Sequence, residues 1–132
     1  MLHHVDIHVR DLDAARALFD GLAEAIGYRP LGNGPDSAGD DPDSAGYKTI
    51  AGGRPRFGLI PDPEHRAGSM RVAFAVKTPA QVDAAARVAA RCGARAIEGP
   101  GLHPEYGDYY AVFFEDADGN RFEIMADEAA AD

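Results

Sequence analysis

Cysteine is almost missing from this 132-residue chain: Cys92 stands alone, so no internal disulfide can form. A reducing compartment fits that usage best, and the cytoplasm is the expected location. Long apolar runs are missing too. No stretch approaches the roughly 20 apolar residues needed to cross a bilayer. The first residues lack the basic start, apolar run and small-residue cleavage site of a signal peptide, so none is expected. Basic residues are scarce, with 13 Lys and Arg against 22 Asp and Glu and a net charge of −9. Without a basic surface to displace counterions, nucleic acid and anionic membranes are disfavoured as partners. No G-x-S-x-G, P-loop or Rossmann glycine pattern occurs, which leaves hydrolase, NTPase and dehydrogenase readings without support.

What remains is the composition of a soluble globular domain, 45% apolar and 27% charged, long enough to bury one core. Leu2 to Val9 alternates as a strand does, with Val5, Ile7 and Val9 on one face and His4, Asp6 and His8 on the other. Asp11 can cap a helix whose apolar stripe is Leu12, Ala15, Leu18, Phe19, Leu22 and Ile26, closed by Gly27. Tyr28 to Leu31 reads as a short strand. Asn33 to Gly46, which holds Pro-Asp-Ser-Ala-Gly twice, reads as a mobile loop. Two strands follow, Tyr47 to Ile50 and Arg56 to Ile60.

The second half repeats this plan. Val72, Phe74 and Val76 alternate against Arg71, Ala73 and Ala75. Thr78 is the next cap, with Pro79 at the first helical position, where its missing N–H costs nothing. Val82, Ala85, Ala89 and Cys92 line the apolar side, and Gly93 ends the helix. Ala94 to Glu98 reads as a strand. Tyr109 to Glu115 and Arg121 to Met125 form a hairpin across Asp116-Ala117-Asp118-Gly119. That turn superficially matches a calcium loop, but its glycine is fourth instead of sixth and no glutamate stands twelfth. The predicted organisation is one domain over 1–126: module one at 1–60, a linker at 61–69 and module two at 70–126. An acidic tail occupies 127–132.

A repeat of this length is a unit too small to be stable alone. Two such βαβββ modules predict an α+β fold, a curved mixed sheet around a cavity with helices outside. The polar parity then faces the cavity: His4, Asp6, His8 and Gly58 from the first module, and Arg71, Arg121 and Glu123 from the second. Polar groups on an inner strand face are expensive unless paired or functional, which makes these the candidate site.

His4-Val5-Asp6-Ile7-His8-Val9-Arg10-Asp11-Leu12 resembles the opening H-x-x-x-x-V-x-D-L segment of the vicinal oxygen chelate superfamily. This is the glyoxalase, bleomycin-resistance and extradiol-dioxygenase group. The stretch from Tyr110 to Glu123 is similar to its closing F-x-D-P-D-G-N-x-x-E hairpin, with Ala117 where proline is usual. The resemblance spans Leu2 to Ala126 and implies a small-molecule cavity and a homodimer. Relatives that use a divalent metal (Zn, Ni, Mn or Fe) place one ligand on the first and last strand of each module. Here those positions hold His4, Gly58, Arg71 and Glu123. Glycine has no donor and arginine stays protonated, so only His4 and Glu123 match. Two ligands are too few for an ordinary catalytic site, and Asp6 or His8 is the available third.

The leading expectation is binding of a small polar or anionic molecule at an incomplete metal site. Glu123 or His4 would serve as the proton-transfer group. Arg71 is expected to stand in for the metal's charge beside Glu123. Asp6, His8, Arg121, Tyr106, Tyr109 and Tyr110 are the further ligand-binding candidates, although parity lets only one of Tyr109 and Tyr110 face inward. The alternatives are a metal-dependent lyase, isomerase or dioxygenase using His4 and Glu123, and a drug-sequestering resistance protein without chemistry.

Overall fold

The computed structural model describes residues 1–31 and 43–126. Most of the duplicated pentapeptide, and the acidic tail at 127–132, lie outside the described residues. Among the described residues, eight strands and two α-helices form two copies of one plan. The first comprises β1 (His4–Val9), α1 (Leu12–Leu22), β2 (Tyr28–Pro30), β3 (Ala45–Thr49) and β4 (Arg56–Pro61). The second comprises β5 (Arg71–Val76), α2 (Pro79–Arg91), β6 (Arg95–His103), β7 (Tyr109–Glu115) and β8 (Arg121–Ala126). Each copy makes a four-stranded mixed sheet, ordered β1-β4-β3-β2 and β5-β8-β7-β6. In each, the first strand runs parallel to the last and the others pair antiparallel.

The caps form where the sequence places them. The Asp11 carboxylate accepts from the Ala14 N–H at 3.0 Å. Thr78 and Gln81 make a reciprocal capping box at the start of α2, with Pro79 in its first turn. α1 ends earlier than the apolar stripe suggested: the chain tightens to a 3₁₀ turn at Glu24–Ile26, and Gly27 closes it at φ 81°. Two strand readings need correction. Ala45 and Gly46, read as loop, belong to β3. β6 runs five residues beyond Glu98, because register shifts around Glu98 absorb the Gly99-Pro100-Gly101 stretch. Gly99 sits at φ 89°, and a Cβ there would lie 2.9 Å from the Ala111 carbonyl oxygen.

Both helices cover the apolar strand faces, and one core joins the modules. Phe19 of α1 is fully buried at its centre. Its ring meets Phe57 of the first sheet edge-on at 5.4 Å and Phe122 of the second at 5.0 Å. A matched pair of straps ties sheet to helix in each half: the Tyr47 hydroxyl donates to Asp20 on α1 and the Tyr110 hydroxyl to Asp83 on α2, both at 2.6 Å. Burial and the Asp20 carboxylate together push the Tyr47 phenol far up. Cys92 closes the contact between helices, where a Cβ on Gly21 would fall 2.4 Å from its sulfur.

The hairpin turn between β7 and β8 acts as a clamp between the two halves. Asp116, only 2% exposed, accepts from the backbone N–H groups of Asp118 and Asn120 and from the Asn120 amide. Asn120 in turn donates to the His8 carbonyl oxygen at 2.9 Å, and Asp118 accepts from the Arg10 N–H at 2.7 Å. The aspartates of this motif are therefore occupied in holding β8 against the end of β1. Desolvation raises the Asp116 pKa in spite of its three donors.

Candidate functional site

The alternating strands leave a polar face on each sheet, opposite the helices. On the first, His4, Asp6 and His8 are exposed while Ile7 and Val9 are buried. On the second, Arg71, Ala73 and Ala75 are exposed while Phe74 and Val76 are buried. The expected parity is thus observed, and in a single chain both faces stay open instead of closing over a shared interior.

Like Met125 beyond it, Glu123 departs from this exposure on the second face. It is 7% exposed, although its neighbours across the sheet are Ala73 on β5 and Phe113 on β7. The Tyr109 hydroxyl donates to its Oε1. A buried carboxylate on the face opposite the helices, with a phenol as its hydrogen-bond donor, is an unusual polar feature among the described residues. The expected partnership with Arg71 does not form. Arg71 instead lays its guanidinium over the Phe113 ring, 4.8 Å from the centroid, and makes no ion pair among the described residues. It remains on the polar face one step along from Glu123, so the correction concerns its partner and not its location.

Tyr109 and Tyr110 divide as parity requires. Tyr109 reaches Glu123, whereas Tyr110 points to α2 and bonds Asp83, which removes Tyr110 from the candidate ligand contacts. Tyr106 is exposed and sets its ring edge-on to Tyr109 at 5.8 Å. His103 packs its ring edge-on against Phe113 at 5.1 Å. Asp6, His8 and Arg121 come together across the junction of the modules. They border a hollow of about 290 Å³ floored by Ile7, Val72 and Phe122. His65 joins them: its Nε2 lies 2.8 Å from Asn120 Oδ1 and its ring 6.1 Å from that of His8. His8 Nδ1 is 3.0 Å from Asp62, and that contact holds the Asp62 carboxyl below its ordinary range. Arg121 also borders a second hollow of about 290 Å³ beside Arg71, Glu98 and Phe113, so it stands between the two.

The residues at the metal-ligand positions do not form a donor set. Gly58 offers no side chain, Arg71 is a cation, and Glu123 is engaged by Tyr109. His4 lies on the other sheet, with its Nδ1 2.9 Å from that of His3 and its Nε2 3.8 Å from Asp6. His8, a candidate third ligand, is turned to Asp62. Among the described residues no three His, Cys, Asp or Glu side chains converge to hold a metal ion.

Two βαβββ units with paired polar sheet faces and the Asp-x-Asp-Gly-Asn clamp define a protein of the paired-module α+β class. The chain belongs to the Glyoxalase/Bleomycin resistance protein/Dioxygenase superfamily, whose family model matches residues 1–124. A glyoxalase/bleomycin resistance protein from Albidiferax ferrireducens T118 is 26% identical, with a TM-score of 0.74 over 96% of this chain and 98% of that one. A glyoxalase/dioxygenase from Nostoc punctiforme is 23% identical, with a TM-score of 0.71 over 96% and 90% of the two chains. The fosfomycin resistance protein FosX from Mesorhizobium loti shares the fold at 16% identity, with a TM-score of 0.67 over 96% and 92%. No curated protein matches the chain.

Proposed function

We propose that the chain binds a small polar or anionic molecule on the polar face of its second sheet, without a resident metal. Glu123 is the proton-transfer group, and Arg71 and Arg121 are the anion contacts. The observation that carries this reading is the buried Glu123 carboxylate on that face, hydrogen-bonded by Tyr109, with the Arg71 and Arg121 guanidiniums on the same face and in no ion pair among the described residues. A carboxylate placed so can take a proton from a bound molecule, while planar guanidinium forks hold the anionic group and offset the negative charge that opposes loss of that proton. Tyr109 fixes the carboxylate's orientation. The open faces favour a homodimer, in which a second copy covers them and excludes water, and the cytoplasm is the proposed location. His4, Asp6 and His8 belong to the first sheet and have no part in the proton transfer.

Two measurements test this. Metal analysis of protein purified without a histidine tag is expected to find far less than one equivalent of Ni, Zn, Mn or Fe. A near-stoichiometric metal lost in E123Q would overturn the reading in favour of a metal-dependent enzyme. Turnover of a panel of small carboxylates and phosphonates is expected to vanish in E123Q while binding persists. Binding without turnover in the unsubstituted protein would leave sequestration as the function.

A further inference from the structure

The second sheet sorts its charges into two rows. Across the register of β5, β8, β7 and β6, Arg71 stands opposite Arg121, Arg121 opposite Glu115, and Glu115 opposite Arg95. Two residues further along, Ala73 stands opposite Glu123, Glu123 opposite Phe113, and Phe113 opposite Glu98. One row is therefore rich in arginine and the next holds two carboxylates flanking an aromatic ring. Like charges directly opposite on neighbouring strands are destabilising, yet Arg71 and Arg121 face each other in a chain of net charge −9. Neither forms an ion pair among the described residues, and neither do Glu98 and Glu115. All four border one hollow of about 290 Å³ together with Ala96 and Phe113.

The placement of Glu98 is built into the backbone. Register shifts interrupt the β6–β7 pairing on both sides of it, and such bulges re-aim a side chain. Ala96, which borders the hollow, takes the left-handed φ of 49°, a conformation that costs a non-glycine residue about 1 kcal/mol or more. Gly99 anchors the other side, with no room for a Cβ against Ala111. The Arg71 guanidinium lies over Phe113, 4.8 Å from the ring centroid, and makes no ion pair among the described residues.

Resting on the anion-binding reading above, we propose that the bound molecule is a small zwitterion. Its carboxylate sits between Arg71 and Arg121, its ammonium at Glu98, and its carbon skeleton against Phe113. Arg121 on β8 and Glu98 on β6 stand two strands and one row apart, about 12 Å between their backbones, and both border the same hollow. The long side chains reach inward from opposite walls, and a hollow of about 290 Å³ takes a zwitterion of amino-acid size held by charge-assisted hydrogen bonds at each end.

Calorimetric titration with 2-aminobutyrate, butyrate and butylamine tests this in the full-length protein and in its E98Q and R71M variants. Both substitutions are at exposed positions, and unchanged circular dichroism serves as the folding control. 2-Aminobutyrate is expected to bind about 10-fold tighter than butyrate. E98Q is expected to erase that difference without changing butyrate, and R71M to weaken both about 10-fold. Equal binding of butyrate and 2-aminobutyrate overturns the zwitterion and leaves the anion reading standing. No binding of either, tightest binding of butylamine, or indifference to R71M overturns both.

Discussion

Replacing Phe19 with alanine tests whether the two modules are one cooperative unit. The ring is fully buried and sits among Phe57, Phe74 and Phe122, which come from both sheets. Phe→Ala at such a site costs about 3–5 kcal/mol, from lost transfer energy plus the cavity left behind. Edge-on aromatic contacts at 5.0 and 5.4 Å place this position toward the upper end. Against a total stability of about 5–15 kcal/mol, that is a large fraction. With a urea m-value of about 2 kcal/mol per molar, the midpoint should fall by about 2 M. Urea unfolding followed by far-UV circular dichroism gives the global value, and amide hydrogen exchange reads each sheet separately. Protection in β7 and β8 should drop as much as in β3 and β4. A loss under about 1 kcal/mol, or a second sheet whose protection is untouched, would refute the shared core.

Other consequences follow from single contacts. Because burial raises the phenol pKa of Tyr47, and of Tyr28, the folded state keeps protons that the unfolded chain releases above pH 10. Stability should therefore fall with rising pH above 10, by up to about 1.4 kcal/mol per pH unit for each tyrosine. Urea midpoints between pH 9 and 11 check this, and the slope should be shallower in Tyr47→Phe. Asp116→Ala strands three buried donors and loosens the clamp on β1, which should cost about 2–3 kcal/mol by thermal melting. Added calcium should leave the melting temperature of the unsubstituted protein unchanged. Thr78→Ala should cost about 1 kcal/mol in the same assay, through loss of the capping box.

The elements governed by local chemistry were legible in the residues. Asp11 and Thr78 cap the helices as read, and the alternation of β1 and β5 assigns the buried and polar faces correctly. Contacts set by tertiary geometry were not. Asp20 and Asp83 look like surface charges on helix faces, and only the fold brings Tyr47 and Tyr110 over them. That signal was present in the repeat, since both pairs occupy equivalent places in the two modules. The reading of β6 ends at Glu98, whereas bulges let the strand continue through Gly99 and Pro100. At the site, the polar face holding Arg71, Arg121 and Glu123 was legible from parity. The partner of Glu123 was not, because a tyrosine fourteen residues away in sequence supplied the hydrogen bond where a cation was expected.

The central claim is an organic, metal-free site on the second sheet, and a crystal structure of the untagged protein with anomalous data tests it most directly. The expected result is a small organic molecule or ordered water between Arg71, Arg121 and Glu123, with no anomalous peak. An anomalous peak at metal-ligand distance from a Glu123 oxygen, with Tyr109 displaced, would contradict it.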